Sequence, residues 1–336
     1  MEIKVLEGGE VSFSLVEEFL EEWNNDKDYI VQFTSGSTGK PKPIKVLKKH
    51  MIASAKTTNT FFKLTKESKY YLCISPAYIG GKMMIVRALI NDAYLWVGPI
   101  NSKAITPLQE KVDLAAMVPL QVETCMKDDA FQLINHLIIG GAPVNDNLAK
   151  ELINSQVNAY STFGMTETVS HIALKYLGKE NQFFKVLPPS EITVNENHQL
   201  IINAPHLGVE NMLTNDIITL HDHQSFEWLG RADFTINSGG VKLQPEIIEK
   251  KLVTFLSKHA FIICGVKNDT FGEAVSLCIE GKPDNIEQIK TAMRSTLEKY
   301  EIPKFIYYLP ELSRTANGKI NRLETKERIE LEGVLL

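Results

Sequence analysis

Apolar residues near the start of the chain recur at helical spacing: Val11, Val16, Phe19, Leu20 and Trp23 fall on one face of an amphipathic helix over residues 11–23. From residue 29 to about residue 165 the pattern becomes short apolar runs separated by helical stretches. YIVQF (29–33), YYLCIS (70–75), AYLWVG (93–98), LAAMVP (114–119), HLIIGG (136–141) and VNAYSTF (157–163) have strand length and strand composition. Residues 48–62, 81–90 and 145–155 have helical character. This alternation predicts an α/β layer with a largely parallel sheet.

Past residue 170 the pattern turns strand-rich. EITVNENHQLIINA predicts a hairpin around its NEN turn, and DIITLHDHQSFEWLG predicts a second. From residue 231 the character changes again. Pro245 can open a helix carrying Ile248, Leu252 and Phe255. FIICGV and AVSLCI predict strands, Asp284 can cap a helix carrying Ile286, Ile289, Met293 and Tyr300, and KFIYYL predicts a last strand. The expected organisation is a larger α/β domain over residues 1–230 and a small α+β domain over 231–336, with the boundary near Arg231–Asp233.

Composition narrows the function. A chain of 336 residues with 44% hydrophobic residues can bury a sizeable core in two units. A formal charge of −5 and a pI near 6.0 lack the basic excess of a nucleic-acid binder. No apolar run approaches the roughly 20 residues of a membrane span. The N-terminal MEIKVLEGGE has early acids and no apolar stretch, unlike a secretory signal. Cys73, Cys125, Cys264 and Cys278 lie far apart without C-x-x-C spacing, as expected for structural thiols in a reduced, cytoplasmic protein. His221-Asp222-His223 could hold a metal, but no further ligand lies nearby in sequence, and a hairpin turn is the expectation.

The chemistry concentrates in glycine-rich strings. TSGSTGKPK presents hydroxyls on Thr34, Ser35, Ser37 and Thr38, a charge on Lys40, and two glycines, Gly36 and Gly39. Such a turn can form a backbone nest for an anion, most simply a nucleotide polyphosphate. It is not a Walker A loop: only two residues separate its glycines, and Pro41 and Pro43 oppose a following helix. IIGGAPV ends a strand with two glycines, against which a flat ligand can lie. TFGMTET sets an aromatic, a glycine, a hydroxyl and an acid within a few residues; Phe163 can stack on a base, Thr166 can bond a phosphate oxygen, and Glu167 can hold Mg²⁺. LTND, LGRAD, INSGGVKLQP and RTANGKINR follow.

In this order, from about Tyr29 to Arg322, these strings resemble the adenylate-forming enzymes: acyl-CoA ligases, peptide-synthetase adenylation domains and firefly-type luciferases. The resemblance implies a large ATP-binding domain with a mostly parallel sheet and a small, mobile C-terminal domain. It implies that residues 34–40 hold the phosphates of ATP, and that Gly140, Gly141, Ala142, Pro143, Phe163 and Gly164 form the adenine pocket. Asp216 and Arg231 would hold the ribose, and Asp233 would be the hinge. Gly239, Gly240 and Lys242 would face CoA, and Lys319 would be the adenylation lysine. Phe163 stands where the family has tyrosine, Asn215 where it has glycine, Asn237 where lysine is usual and Lys242 where arginine is common. Relatives carry a further subdomain before the phosphate loop, so a shortened N-terminal subdomain is expected. Bacterial o-succinylbenzoate–CoA ligases include compact versions that this chain resembles. By that resemblance SPAYIGGKMMIVRAL holds the acyl pocket, with Tyr78 and Gly81, and with Lys82 or Arg87 facing a second substrate carboxylate; Ser170 and His171 would line it too. The alternative for Lys82 and Arg87 is a solvated helix face. The implied partners are ATP, Mg²⁺, CoA and a small carboxylic acid, with no nucleic acid and no membrane insertion, and with a homodimer left open. Rival expectations are another acyl- or aryl-CoA ligase, a carrier-loading enzyme, or a non-catalytic nucleotide-binding protein.

Overall fold

The computed structural model describes residues 1–34, 42–180, 182–314, 320–332 and 334–335. Its largest element is a twelve-stranded mixed sheet. Six neighbouring strands run parallel: Glu2–Val5, Tyr94–Val97, Lys69–Leu72, Val112–Met117, Ile134–Ile139 and Asn158–Gly164. The remaining six are antiparallel: His171–Tyr176, Phe184–Val186, Ser225–Arg231, Val209–Asp222, Gln199–Ala204 and Glu191–Val194. Both hairpins expected past residue 170 therefore lie in this half, and His221-Asp222-His223 falls at a turn where Asp222 accepts from the Ser225 hydroxyl at 2.6 Å.

Helices cover the parallel half because its strands are apolar on both faces. The helices α1 (Glu10–Asn24), α2 (Lys48–Phe61) and α3 (Ile79–Ile90) lie close to the expected positions. They bury Val16, Phe19, Met51, Ala55, Met83, Met84 and Ile85 against Tyr70, Leu72, Leu95 and Leu114 of the sheet. The opposite face packs Tyr71, Trp96, Ala115, Leu137 and Ile139 on Phe131, Leu148 and Leu152. A separate antiparallel pair, Tyr29–Thr34 with Lys42–Leu47, lies on either side in sequence of the glycine- and hydroxyl-rich residues. Gln32 ties this hairpin to the turn before α3 by donating to the Ala77 carbonyl at 3.3 Å.

A turn over Ala232–Phe234 leads from the large sheet to a six-stranded sheet: Val241–Leu243, Ile236–Ser238, Gly272–Glu280, Phe305–Leu309 and Val334–Leu335, with Phe261–Asn268 also on Gly272–Glu280. One face buries Ile248 and Leu252 of the helix Pro245–Leu252 and Ile289 and Met293 of Ile286–Thr296. Its other face buries Ile262, Cys278 and Tyr307 with Ile329.

Some local expectations need correction. Asp284 is not the cap: the apolar face of Ile289 and Met293 sets a helix that starts at Ile286 behind Asn285. Phe255 lies beyond a helix that ends at Leu252; the chain turns there, Leu256 enters the core, and Phe255 is exposed. Tyr300 likewise lies past Thr296 and is exposed. No helix among the described residues is long and apolar enough to cross a membrane.

Candidate active site

Parallel strands deliver their C-terminal ends to one edge of the sheet, where ligands of open α/β sheets bind. Two glycine-rich segments meet there. Gly140 continues the strand Ile134–Ile139 and donates to the Met117 carbonyl at 3.1 Å. A Cβ on Gly140 would stand 2.8 Å from Thr162 Oγ1, so the neighbouring strand closes over it. Gly141 takes φ +84, and Gly141, Ala142 and Pro143 are exposed. Asn145 then caps the following helix by accepting from the Leu148 N–H at 2.8 Å.

The second segment follows the strand Asn158–Gly164. Phe163 packs edge-on against Phe226 and Phe184, with centroids 5.1 and 5.8 Å away. A Cβ on Gly164 would stand 2.3 Å from the Ser170 carbonyl oxygen, a close approach that requires glycine. The loop is held from inside by the fully buried Thr168. Its hydroxyl accepts from the Met165 N–H at 3.0 Å and lies 2.8 Å from the Ser170 carbonyl. Val169 adopts φ +67, an uncommon conformation for a β-branched residue. Thr166 and Glu167 project from this frame. Glu167 is exposed, and its carboxylate has no hydrogen bond or ion pair among the described residues, leaving hard oxygen donors free.

Beneath the loop is a buried cationic group. Arg87, on α3, is 1% exposed. Its Nη2 donates to Ser170 Oγ at 2.9 Å, its Nη1 lies 3.6 Å from Met84 Sδ, and its Nε has no partner. No carboxylate among the described residues forms an ion pair with it. Burial lowers the guanidinium to about 10, so it remains charged at neutral pH. His171 is also buried, with Nε2 3.1 Å from Thr58 Oγ1. Burial, helped by the charge on Arg87, holds His171 well below its ordinary value and therefore neutral. Asn59 donates to the Arg87 carbonyl at 2.9 Å and fixes that turn of α3 against α2.

Lys82 is not part of this group. It lies five positions before Arg87, about 140° around the helix, and its Nζ lies 3.5 Å from Glu22 of α1. Tyr78 precedes α3 and is exposed, while Gly81 lets the helix pass the Ser75 carbonyl, 2.4 Å from where a Cβ would stand.

Asp216 and Arg231 pair across neighbouring strands. Asp216 is buried and accepts from Trp228 Nε1 at 2.8 Å. Burial raises its carboxyl, partly offset by the indole N–H and by Arg231. Arg231 Nη2 donates to Asp233 at 2.8 Å. Burial opposes the Arg231 charge, but Asp233, Asp216 and Glu246 together raise it. Arg231 shares a strand with Phe226 and so connects to Phe163 through the aromatic cluster.

Gly239 and Gly240, at φ +59 and +83, form the tight turn between Ile236–Ser238 and Val241–Leu243, with Lys242 exposed beside it. Ser35, Gly36, Ser37, Thr38, Gly39, Lys40 and Lys319 lie outside the described residues, as does the Thr34 side chain. Trp228 and Thr168 were not singled out in the sequence. A half-buried indole needs an acceptor, which was the available signal for Trp228.

Residues 5–197 match the family model described as AMP-binding enzyme. A 2-succinylbenzoate–CoA ligase of Listeria monocytogenes is 24% identical, covering 93% of this chain and 72% of its own length. The structure of an acyl-CoA synthetase (AMP-forming)/AMP-acid ligase II-like protein from Dyadobacter fermentans is 31% identical, covering 95% of this chain and 94% of that one, with a TM-score of 0.62. The o-succinylbenzoate CoA synthetase of Bacillus subtilis, in complex with its acyl-adenylate intermediate, shares the fold at a TM-score of 0.76 and 19% identity, over 88% of this chain and 68% of that one. With more than half of its length matched, the chain belongs to the AMP-binding enzyme family.

Proposed function

We propose that the protein is an ATP-dependent acid–thiol ligase that activates 2-succinylbenzoate and transfers it to CoA. The observation that carries the choice of acid is Arg87. A buried guanidinium without a counter-charge is costly, and a second carboxylate on the substrate would offset that cost with charge-assisted hydrogen bonds. The names of the Listeria and Bacillus relatives support the same acid.

In the proposed reaction a carboxylate oxygen attacks the α-phosphorus of ATP, and pyrophosphate leaves. The CoA thiol, losing its proton, then attacks the acyl carbon, and AMP leaves. Positioning and electrostatics supply most of the acceleration. Residues 34–40 would wrap the phosphates, Gly140–Pro143 and Phe163 would hold adenine, and the buried carboxylate of Asp216 would accept from the ribose hydroxyls beside Arg231. Thr166 would bond a phosphate oxygen. Glu167, exposed and without a partner among the described residues, fits the demand of Mg²⁺ for oxygen; the bound ion would neutralise phosphate charge. Lys319 would stabilise charge growing at the α-phosphate. Asp233 would be the hinge between units divided near residue 231, with Gly239, Gly240 and Lys242 facing CoA. Ser170 and His171 would line the acyl pocket with Arg87.

The test is incubation with ATP, Mg²⁺, CoA and 2-succinylbenzoate, followed by mass spectrometry for the thioester. The thioester confirms the reading. Pyrophosphate release with a different acid from a panel would keep the chemistry and discard the substrate. The Dyadobacter relative, aligned over almost its whole length and described only as an acyl-CoA synthetase-like protein, favours that second reading.

A further inference from the structure

Two buried acceptor oxygens without partners, Glu246 Oε2 and Gln244 Oε1, converge where the small sheet meets the large one. They gather at Gly230, which has φ +151. A Cβ on that glycine would stand 2.4 Å from Glu246 Oε2 and 3.2 Å from Gln244 Oε1, so the missing side chain is the seat in which Glu246 rests. Glu246 lies in the first turn of the helix Pro245–Leu252, and this helix packs on the strand Ser225–Arg231. The Gln244 amide nitrogen already donates to Thr235 Oγ1 at 2.9 Å, so its oxygen is the end left toward Glu246.

Two acceptor oxygens thus face one small space, and only a proton on Glu246 turns one of them into a donor. The charged groups around it do not replace that proton. Arg322, from the helix Arg322–Glu332, is held by both oxygens of Glu249, one turn along from Glu246. Arg231 donates to Asp233 and is flanked by Asp216, and its Nε makes no hydrogen bond to Glu246.

We propose that Glu246 is a proton-operated latch: neutral, it seats against Gly230 and docks its helix on the strand that ends in Arg231; ionised, it leaves the seat and loosens the junction. Burial pushes the Glu246 carboxyl up to about 7; Arg322 and the N–H groups of Glu246 and Arg231 pull it back only partly, and Glu249 adds to the rise. A carboxyl raised in the docked state retains its proton there, so docking is strongest below the ordinary carboxylate value of 4.5 and weakens as pH rises through about 7. Buried Asp216 is raised in the same direction, so the Glu246 variant is needed to separate the two.

The test is amide hydrogen exchange over residues 230–234 and 246–249 of the full chain, corrected for intrinsic rates. It needs no substrate and is therefore independent of the ligase reading. Protection in the unaltered protein should fall on the order of a hundredfold between about pH 5 and about pH 8. Glu246→Gln, neutral and of the same shape, should hold its protection across that range. Gly230→Ala fills the seat and should leave the junction poorly protected at both ends, with far-UV circular dichroism checking that each variant folds. A pH-independent profile in the unaltered protein, or an unchanged slope in Glu246→Gln, would overturn the latch.

Discussion

Arg87 sits in a run, MMIVRALI, in which Met83, Met84, Ile85, Val86 and Ala88 are all buried. A helix apolar on every side is a buried helix, and that was the signal in the sequence that its arginine would be buried too. Periodicity could not show that Ser170, 83 positions away, would meet the guanidinium. Arg87→Lys keeps the charge but loses the planar fork. We expect the KM for a diacid substrate to rise by about tenfold to a hundredfold, as for loss of a charge-assisted hydrogen bond, with little change for a monoacid of similar size. Equal effects on both acids would remove Arg87 from substrate recognition. Lys319→Ala should slow acyl-adenylate formation by roughly a hundredfold or more while sparing thioester formation from supplied acyl-adenylate. Equal loss of both half-reactions in rapid-quench experiments would argue against its role.

Among elements, those with a clear period were legible. The spacing of Val16, Phe19 and Leu20 marks α1, and the apolar runs mark the parallel strands within a few residues. The strand Glu2–Val5 was not legible: Glu2, Lys4 and Val5 are exposed, only Ile3 packs on the core, and pairing with Tyr94–Val97 defines the strand. The loop over residues 164–170 was legible as a motif but not as a construction. Its shape depends on Thr168, whose hydroxyl serves the backbone of Met165 and Ser170. Thr168→Val retains the volume and leaves those groups unpaired, which should cost about 1–3 kcal/mol. Thermal unfolding would register that loss, and the KM for ATP should rise with it. A variant as stable as the parent would show that the hydroxyl does not hold the loop.

For the whole molecule, titration gives a further expectation. Burial is the leading cause that lowers His50, His136, His171 and His206, with Lys49, Arg87 and His50 adding repulsion at the first, third and fourth. Each folded value lies below the ordinary 6.5, so the unfolded chain binds more protons as pH falls through that value. The histidine contribution is therefore fully present above 6.5 and lost toward acid. The raised carboxyls of Glu246 and Asp216 act oppositely, losing stability as pH rises. Unfolding temperature should thus decline on the acid side of neutrality, and His171→Asn should flatten that decline. An acid limb of unchanged steepness in the variant would exclude His171 as a contributor.

The outer parallel strand also has a consequence for synthesis. Glu2 is paired with Tyr94, so the strand must wait for roughly ninety further residues before its partner exists, a contact of the long-range kind that slows folding. Until then α1 and the antiparallel pair on either side in sequence of the glycine-rich residues leave the ribosome without the sheet that buries Val16, Phe19 and Ile30. The growing chain therefore exposes the apolar side of its future nucleotide-loop scaffold while still attached to the ribosome, a natural substrate for chaperones that bind nascent apolar segments.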